Sequence, residues 1–187
     1  KNSNFYKKHD HVEFIFQSGK LIFNDPRRFG SMHHITKPSS HFLLEKLGPE
    51  PLSEEFNGDY LFQKIKKSLS PIKNTLMNQH NVVGIGNIYA SESLFLSGIK
   101  PSKVSKKLTK KNCSDLVNSI KEVLKEAIKK GGSSINDYIS VDGKSGYFQF
   151  DFKVYGRTSQ PCHICQSDIL QVKINQRSSF YCKNCQK

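Results

Sequence analysis

The segments PCHIC at residues 161–165 and QRSSFYCKNC at residues 176–185 decide how the end of this chain folds. They contain two C-x2-C pairs separated by sixteen residues: Cys162, Cys165, Cys182 and Cys185. Each pair can present two thiolates from one tight turn, and two such turns complete a tetrahedral site for one Zn2+ ion. The alternatives are two disulfides or four unrelated buried thiols. Because four thiolates leave no open coordination position, we expect a structural zinc ion that holds a β-hairpin.

The charge of the chain indicates a polyanionic partner. Its 187 residues include 29 lysines and arginines against 16 acidic residues, which gives a formal net charge of +13. Such a field attracts nucleic acid, although lysine-rich solvated faces also occur in chains of biased composition. No apolar run approaches the length of a membrane span, and the first residues, KNSN, do not resemble a signal peptide. A fifth cysteine, Cys113, is predicted to be a plain thiol in a reducing compartment.

The first forty residues contain the pattern of a β-hairpin. Residues 11–16 place apolar side chains at alternate positions, residues 17–20 (QSGK) predict a turn, and residues 21–23 (LIF) predict the returning strand. The apolar segment 32–35 predicts a third strand. Three strands make a poor independent sheet. We therefore expect the chain to begin in the middle of a domain.

After the hairpin the signals are helical. Asp59 is predicted to cap a first helix, and Ser70 a second one with Pro71 in its first position. Residues 88–97 predict a third helix, which Gly98 ends.

A longer helix is predicted from Ser114 to Lys130, with lysines on its outer face and a glycine pair after its end. Its predicted inward residues are Leu116, Ile120, Leu124, Ala127 and Ile128. Residues 133–146 lack strong periodicity and contain several Gly and Asp turn signals. They are predicted to form a mobile loop.

The turn before the third helix has two interpretations. Gly84 and Gly86 allow the backbone to approach another group closely, and the helix that starts near Asn87 offers unpaired N–H groups. A phosphate would fit at that helix start. A structural helix-turn-helix whose glycines permit close packing explains the same spacing equally well.

Four separated segments resemble one family, in the same order along the chain. They are NDPRRFG at 24–30, LGPEPL at 47–52, VGIGNIY at 83–89 and QRSSFYC at 176–182. Together they resemble bacterial formamidopyrimidine-DNA glycosylases more than the related endonuclease VIII enzymes. The resemblance covers nearly the whole chain.

The resemblance implies an α+β fold in three parts. Residues 1–48 would be a partial N-terminal β-sandwich, the remnant of the catalytic domain. Residues 49–150 would be a helix-two-turn-helix α-helical module with a lesion-recognition loop, and residues 151–187 a four-cysteine zinc-finger β-hairpin. DNA would lie in the cleft between the first part and the other two.

The resemblance also implies an activity. Members of the family excise oxidised purines, chiefly 8-oxoguanine and formamidopyrimidines, and then cut the abasic strand by β- and δ-elimination. Their nucleophile is the secondary amine of an N-terminal proline, which forms a Schiff base with the sugar. This chain opens with Lys1-Asn2-Ser3 and has no residue that matches that proline. We therefore expect it to bind DNA but not to excise a base by itself.

The remaining functional residues are placed by the same resemblance. Phe29 would fill the gap left by an everted nucleotide while Arg27 reads the orphaned cytosine. The alternative is that Phe29 is a core residue and Arg27 an ordinary surface charge. Asn87 would hold phosphates through its amide and the helix N-terminus. Arg177, at the tip of the zinc hairpin, would grip flanking phosphates and donate a proton in δ-elimination. Further DNA contacts are implied for His9 and Lys73, and the implied lesion-recognition residues are Ser133, Ser134, Asn136 and Tyr138.

The expected partner is double-stranded damaged DNA, bound by a monomer in the bacterial cytoplasm. One alternative is a relative of the same family that binds damaged DNA without cutting it. Another is a zinc-ribbon protein that binds RNA or a ribosome through its lysines, which leaves the motif containing Arg27 and Phe29 unexplained.

Overall fold

The structure, a computed structural model, describes residues 7–37, 40–131 and 152–187. Contacts between residues divide the chain into two compact units, Lys1–His41 and Phe42–Lys187. Among the described residues, no helix is long and apolar enough to cross a membrane. The fold is the predicted mixture of helices and strands, with two small hairpins and a four-cysteine cluster.

The first unit contains the predicted β-hairpin. Strand β1 (Asp10–Phe16) pairs antiparallel with β2 (Gly19–Asn24), and a bulge interrupts the register near Val12. Most of its apolar side chains are exposed in this unit, Ile15 to 80%. The strand predicted at residues 32–35 is wrong, because that segment runs as irregular chain and pairs with no strand of the described residues.

The second unit begins with helices. Their bounds are α1 Gly58–Ile65, α2 Ile72–Leu76, α3 Asn87–Leu96 and α4 Lys110–Lys129, with a 3-10 turn at Ser105–Lys107 before α4.

Two helix caps differ from their predictions. Asn57, not Asp59, caps α1, because its side-chain oxygen accepts from the Tyr60 amide at 2.9 Å. At α2 the cap position falls on Pro71 rather than Ser70, and no side chain caps that helix. Helix α3 starts and ends within one residue of its prediction, and Gly98 follows it with a φ of +68°.

Helix α4 is longer at its start than predicted. Thr109 and Asn112 form a reciprocal capping box, with bonds of 3.1 and 3.2 Å, so the helix begins at Lys110 rather than Ser114. Ile128 is 65% exposed, so its predicted inward position is wrong. Residues four apart drift around a helix by about 40° per step, which carries Ile128 off the face that Leu124 still shares.

The helices enclose the main hydrophobic core. Side chains from α1, α3 and α4 meet there, including Leu61, Leu94 and Ile120, all at most 1% exposed. Gly48 lies against the backbone of Asn81, and a Cβ on it would stand 2.5 Å from the Asn81 carbonyl carbon. The loop that leads to α3 is therefore tightly packed against the start of this unit.

The chain ends in a second hairpin, whose strands are β3 (Ile169–Ile174) and β4 (Arg177–Cys182). Its two-residue turn has positive φ at both Asn175 and Gln176, as a type I′ turn requires. Phe95 of α3 enters a small core beneath the hairpin, formed with Val154, Cys162, Ile169, Phe180 and Cys182. Helix α3 thus contributes to both cores and fixes the hairpin to the helices.

Candidate nucleic-acid interface

The four cysteines form the predicted zinc site. Their sulfur atoms all lie within 4.8 Å of one another, and Cys162 and Cys182 are buried. Hydrogen bonds from Ser167 are the main cause that lowers the pKa of Cys165, which favours a thiolate there. The set is suited to one structural zinc ion with four thiolate ligands.

Gln186 attaches the zinc site to the end of α3. It is 2% exposed, its Oε1 accepts from the backbone amide of Cys182 at 2.9 Å, and its Nε2 donates to the Ile99 carbonyl at 2.8 Å. The amide of Lys187 donates to the Gly98 carbonyl at 3.0 Å. A metal-held strand is thereby bonded directly to the helical module.

A second attachment is made by Glu92 of α3. Its buried carboxylate accepts three backbone N–H groups, from Lys153 at 2.7 Å, Val154 at 3.0 Å and Tyr155 at 2.8 Å. Charge-assisted bonds of this kind are among the strong ones in proteins. The segment that enters the zinc finger is therefore held against α3.

The carbonyl of Ser178 joins two helices to the zinc hairpin. It accepts from Lys73 Nζ of α2 at 3.0 Å and from Asn87 Nδ2 of α3 at 3.1 Å. Asn87 Nδ2 also lies 3.4 Å from the Tyr155 hydroxyl, and its Oδ1 is buried without a partner among the described residues. Three of the predicted site residues, Lys73, Asn87 and Arg177, therefore meet at one point of β4.

Lys73 is buried at this junction. It is 1% exposed, and its ammonium also donates to Ser179 Oγ at 2.7 Å. Burial first, and then the nearby charge of Arg177, lower its pKa to about 8. The ammonium supports the hairpin in this structure, and a direct contact between Lys73 and DNA stays a prediction.

Arg177 lies at the tip of the zinc hairpin, as predicted, in the first position after the turn. It is exposed and borders a polar groove of about 480 Å³. The other walls are lined by α2 and by the loops before and after it: Ser68, Ser70, Asn74, Thr75, Met77, Asn78 and Asn81, with Asn175 beside Arg177. An exposed cation beside hydrogen-bonding amides and hydroxyls is suited to a phosphate backbone.

In the first unit, Asp25 shapes the loop that carries Arg27 and Phe29. Its carboxylate accepts from the amides of Arg27 at 3.1 Å, Arg28 at 3.0 Å and Gly30 at 2.6 Å, and the last of these is the main cause that lowers the pKa of Asp25. Phe29 is 80% exposed, with the Arg27 guanidinium 4.9 Å from its ring centroid. The loop therefore presents an exposed aromatic ring beside a cation, and Phe29 is not a core residue of this unit.

His9 lies next to this loop, because its carbonyl accepts from the Asp25 amide at 3.1 Å. Its φ is +78°, an unusual conformation for a residue with a side chain. The lesion-recognition residues predicted at Ser133, Ser134, Asn136 and Tyr138 lie outside the described residues.

Sequence reasoning assigned no role to Asp25, Glu92 or Tyr155. Asp25 precedes a proline and a turn, where an aspartate commonly bonds the backbone ahead of it. Glu92 is the one ionisable acid in a helix of mostly apolar and small residues, which indicates that its carboxylate has buried partners. Tyr155 carries no local signal, since its contact with Phe180, at 5.0 Å between ring centroids, joins distant segments.

Comparison with known protein families and structures identifies relatives along nearly the whole chain. The profile of the formamidopyrimidine-DNA glycosylase H2TH domain matches residues 47–138, and that of the zinc finger found in FPG and IleRS matches residues 159–187. Formamidopyrimidine-DNA glycosylase of Salmonella arizonae is 47% identical over 182 residues, covering 97% of this chain and 68% of that protein. The enzyme of Methylobacillus flagellatus is 48% identical over 185 residues, 98% of this chain and 66% of that protein.

Solved structures agree with this. The MutM (Fpg) protein of Thermus thermophilus superposes with a TM-score of 0.90 at 35% identity, over 97% of this chain and 70% of that one. Lactococcus lactis Fpg, in a complex with DNA that contains an abasic site, gives a TM-score of 0.89 at 38% identity, over 99% of this chain and 69% of that one. The chain thus spans about two thirds of the length of these relatives.

Proposed function

Because this chain belongs to the formamidopyrimidine-DNA glycosylase family, we propose that the protein containing it is a base-excision-repair DNA glycosylase and AP lyase. Its substrates are oxidised purines, 8-oxoguanine and formamidopyrimidine, in double-stranded DNA. The damaged nucleotide is everted, the base is released, and the strand is cut by β- and δ-elimination. The enzyme acts as a monomer in the bacterial cytoplasm.

The observation that carries the proposal is the junction at the Ser178 carbonyl. Lys73 and Asn87 bond that one oxygen, at 3.0 and 3.1 Å, and so hold the adjacent Arg177 against the start of α3. The cation and the helix N-terminus then act on neighbouring phosphates. Since the side-chain amide of Asn87 is already engaged, the main-chain N–H groups at the start of α3 take the phosphate.

Arg27 and Phe29 act on the bases. The exposed ring of Phe29 fills the space left by the everted nucleotide, and Arg27 donates to the orphaned cytosine. Asp25 supports both, because its three backbone hydrogen bonds fix the loop between them. His9 and the residues Ser133, Ser134, Asn136 and Tyr138 complete the proposed contacts to DNA and to the damaged base.

These 187 residues perform the binding part of this function. The family's proline nucleophile has no counterpart among them, and Arg177, the proposed proton donor of δ-elimination, acts only after a Schiff base exists. A polypeptide confined to these residues is therefore expected to bind an abasic site without excising a base. The alternative function is a relative that recognises damaged DNA and never cuts it.

Borohydride trapping tests the catalytic part. The 187-residue chain is incubated with a duplex that carries 8-oxoguanine opposite cytosine, and binding to a non-cleavable abasic analogue is measured in parallel. Binding without a trapped adduct is expected, and an adduct would mean that another amine is the nucleophile. Release of 8-oxoguanine by the protein at its natural length supports the enzyme, whereas binding alone at that length supports the alternative.

Arg177→Ala tests the binding part. The substitution should weaken binding to the abasic analogue and lower the salt slope of log K by about 0.9, the value for one phosphate contact. Lys183→Ala, which also removes one exposed cation from the zinc finger, is the control. Equal effects of the two substitutions would contradict the role of Arg177.

A further inference from the structure

Lysines of two segments have no part in the interface proposed above. Residues 64–67 (KIKK) contain three of them, and residues 100–111 (KPSKVSKKLTKK) contain six. Neither segment belongs to the four sequence motifs that resemble the family, although both lie within residues 47–138, which match its H2TH domain. They account for nine of the 29 basic residues of the chain.

The fold brings the two segments side by side. The amide of Ser105 donates to the Ser70 carbonyl at 2.9 Å, and the amide of Lys106 donates to the Ser68 carbonyl at 3.0 Å. Pro71 and Val104 continue this pairing as an antiparallel bridge. The lysines at the end of α1 therefore adjoin those that precede α4, although about forty residues separate them in the sequence.

Only two of these nine lysines pair with a carboxylate of the described residues. Lys110 pairs with Asp59 at 3.4 Å and Lys111 pairs with Asp115 at 2.8 Å. In contrast, Lys67, Lys106 and Lys107 are exposed, and no carboxylate of the described residues lies within 4.0 Å of their ammonium groups. These three lysines are called the lysine surface below.

The lysine surface adjoins the polar groove that Arg177 borders. Ser68 and Ser70 line that groove, and Ser68 is both the next residue after Lys67 and the backbone partner of Lys106. Arg177 borders the same groove. A nucleic-acid backbone that follows the groove away from Arg177 would therefore meet the lysine surface at Ser68.

We propose that Lys67, Lys106 and Lys107 form a second phosphate-contacting surface, which binds duplex DNA beyond the segment held by Arg177 and the start of α3. This inference rests on the proposed function, since it extends the same footprint. Lysine ammonium groups are compact, mobile point charges, so their contacts with phosphates do not depend on base sequence. These contacts are detected as a dependence of the binding constant on salt concentration. A set of solvated lysines that touches nothing would show no such dependence beyond the general field of the chain.

The test compares two double substitutions that remove the same charge. Lys67→Gln with Lys106→Gln alters the lysine surface, and Lys125→Gln with Lys129→Gln alters exposed positions of α4 as the control. Affinity for duplexes that contain the abasic analogue is measured by fluorescence anisotropy over a series of salt concentrations. One duplex extends for several helical turns, and the other is only about one helical turn long, about 10 bp, with the abasic site at its centre.

On the long duplex, the lysine-surface variant should lower the salt slope by about 1.8, which is about 0.9 for each phosphate that a lysine no longer neutralises. The control should leave the slope unchanged, and the short duplex should bind both variants alike. Equal effects of the two variants on the long duplex would overturn the inference while the proposed function stands. Absence of binding by the unsubstituted chain would overturn both.

Discussion

Glu92→Gln tests whether one carboxylate holds the zinc finger to the helices. The substitution keeps the size of the side chain but removes the charge that three backbone N–H groups share. An amide oxygen can still accept from Val154 and Tyr155 as a neutral group. The NH2 group then faces the amide of Lys153, which loses its acceptor.

The magnitude follows from these three bonds. Hydrogen bonds to a charged group contribute about 1.5–3 kcal/mol each, and a buried donor without a partner costs about 1–3 kcal/mol. Loss of one bond and weakening of the two others should therefore destabilise the attachment by about 2–4 kcal/mol. Since about 1.4 kcal/mol is a factor of ten, amide exchange at residues 153–155 should accelerate by about 30-fold to 1,000-fold.

The assay is hydrogen exchange resolved to residues 153–155, with zinc content measured on the same samples. Glu126→Gln is the control, because Glu126 is an exposed carboxylate on α4. The protein should retain zinc while binding to the abasic analogue weakens, since Tyr155 no longer adjoins Asn87 in a fixed position. Unchanged exchange at residues 153–155 would refute the reasoning.

Three further substitutions give distinct outcomes. Cys182→Ser should release zinc, measured by a chelator titration. Because the hairpin then no longer holds Arg177 in place, DNA binding should weaken at least about tenfold, and full affinity without zinc would mean that the hairpin is not needed. Since the pKa of Lys73 is about 8 rather than 10.5, the unfolded chain binds more protons than the folded one between these two pH values. The free energy of unfolding, relative to that of Lys73→Met, should therefore rise with pH across that window and stay level below it, as urea titrations would report. A flat difference would contradict the burial of that ammonium. Gly48→Ala should lower the free energy of unfolding by about 1–3 kcal/mol, because the new Cβ would overlap the backbone of Asn81, and an unchanged urea midpoint would exclude that contact.

Local chemistry determined much of this protein from its sequence. The paired cysteines predicted the zinc site because each C-x2-C turn brings its own two ligands together, and only one further contact is needed. Alternating apolar residues predicted the first hairpin, and Gly98 predicted the end of α3. The predictions were wrong where a nearby residue capped the helix instead. Asn57 rather than Asp59 bonds the free amides of α1, and the capping box at Thr109 starts α4 earlier than predicted.

Only the tertiary structure decided how the interface is supported. Lys73 bonds Ser178 and Ser179, which lie more than one hundred positions further along the chain. Glu92 bonds backbone amides that lie more than sixty positions away. These partners are mostly backbone carbonyls and amides, which every residue possesses, so no pattern of side chains identifies them in advance. The sequence therefore determined which groups could bind zinc and phosphate, whereas burial and long-range packing decided that Lys73 supports the hairpin.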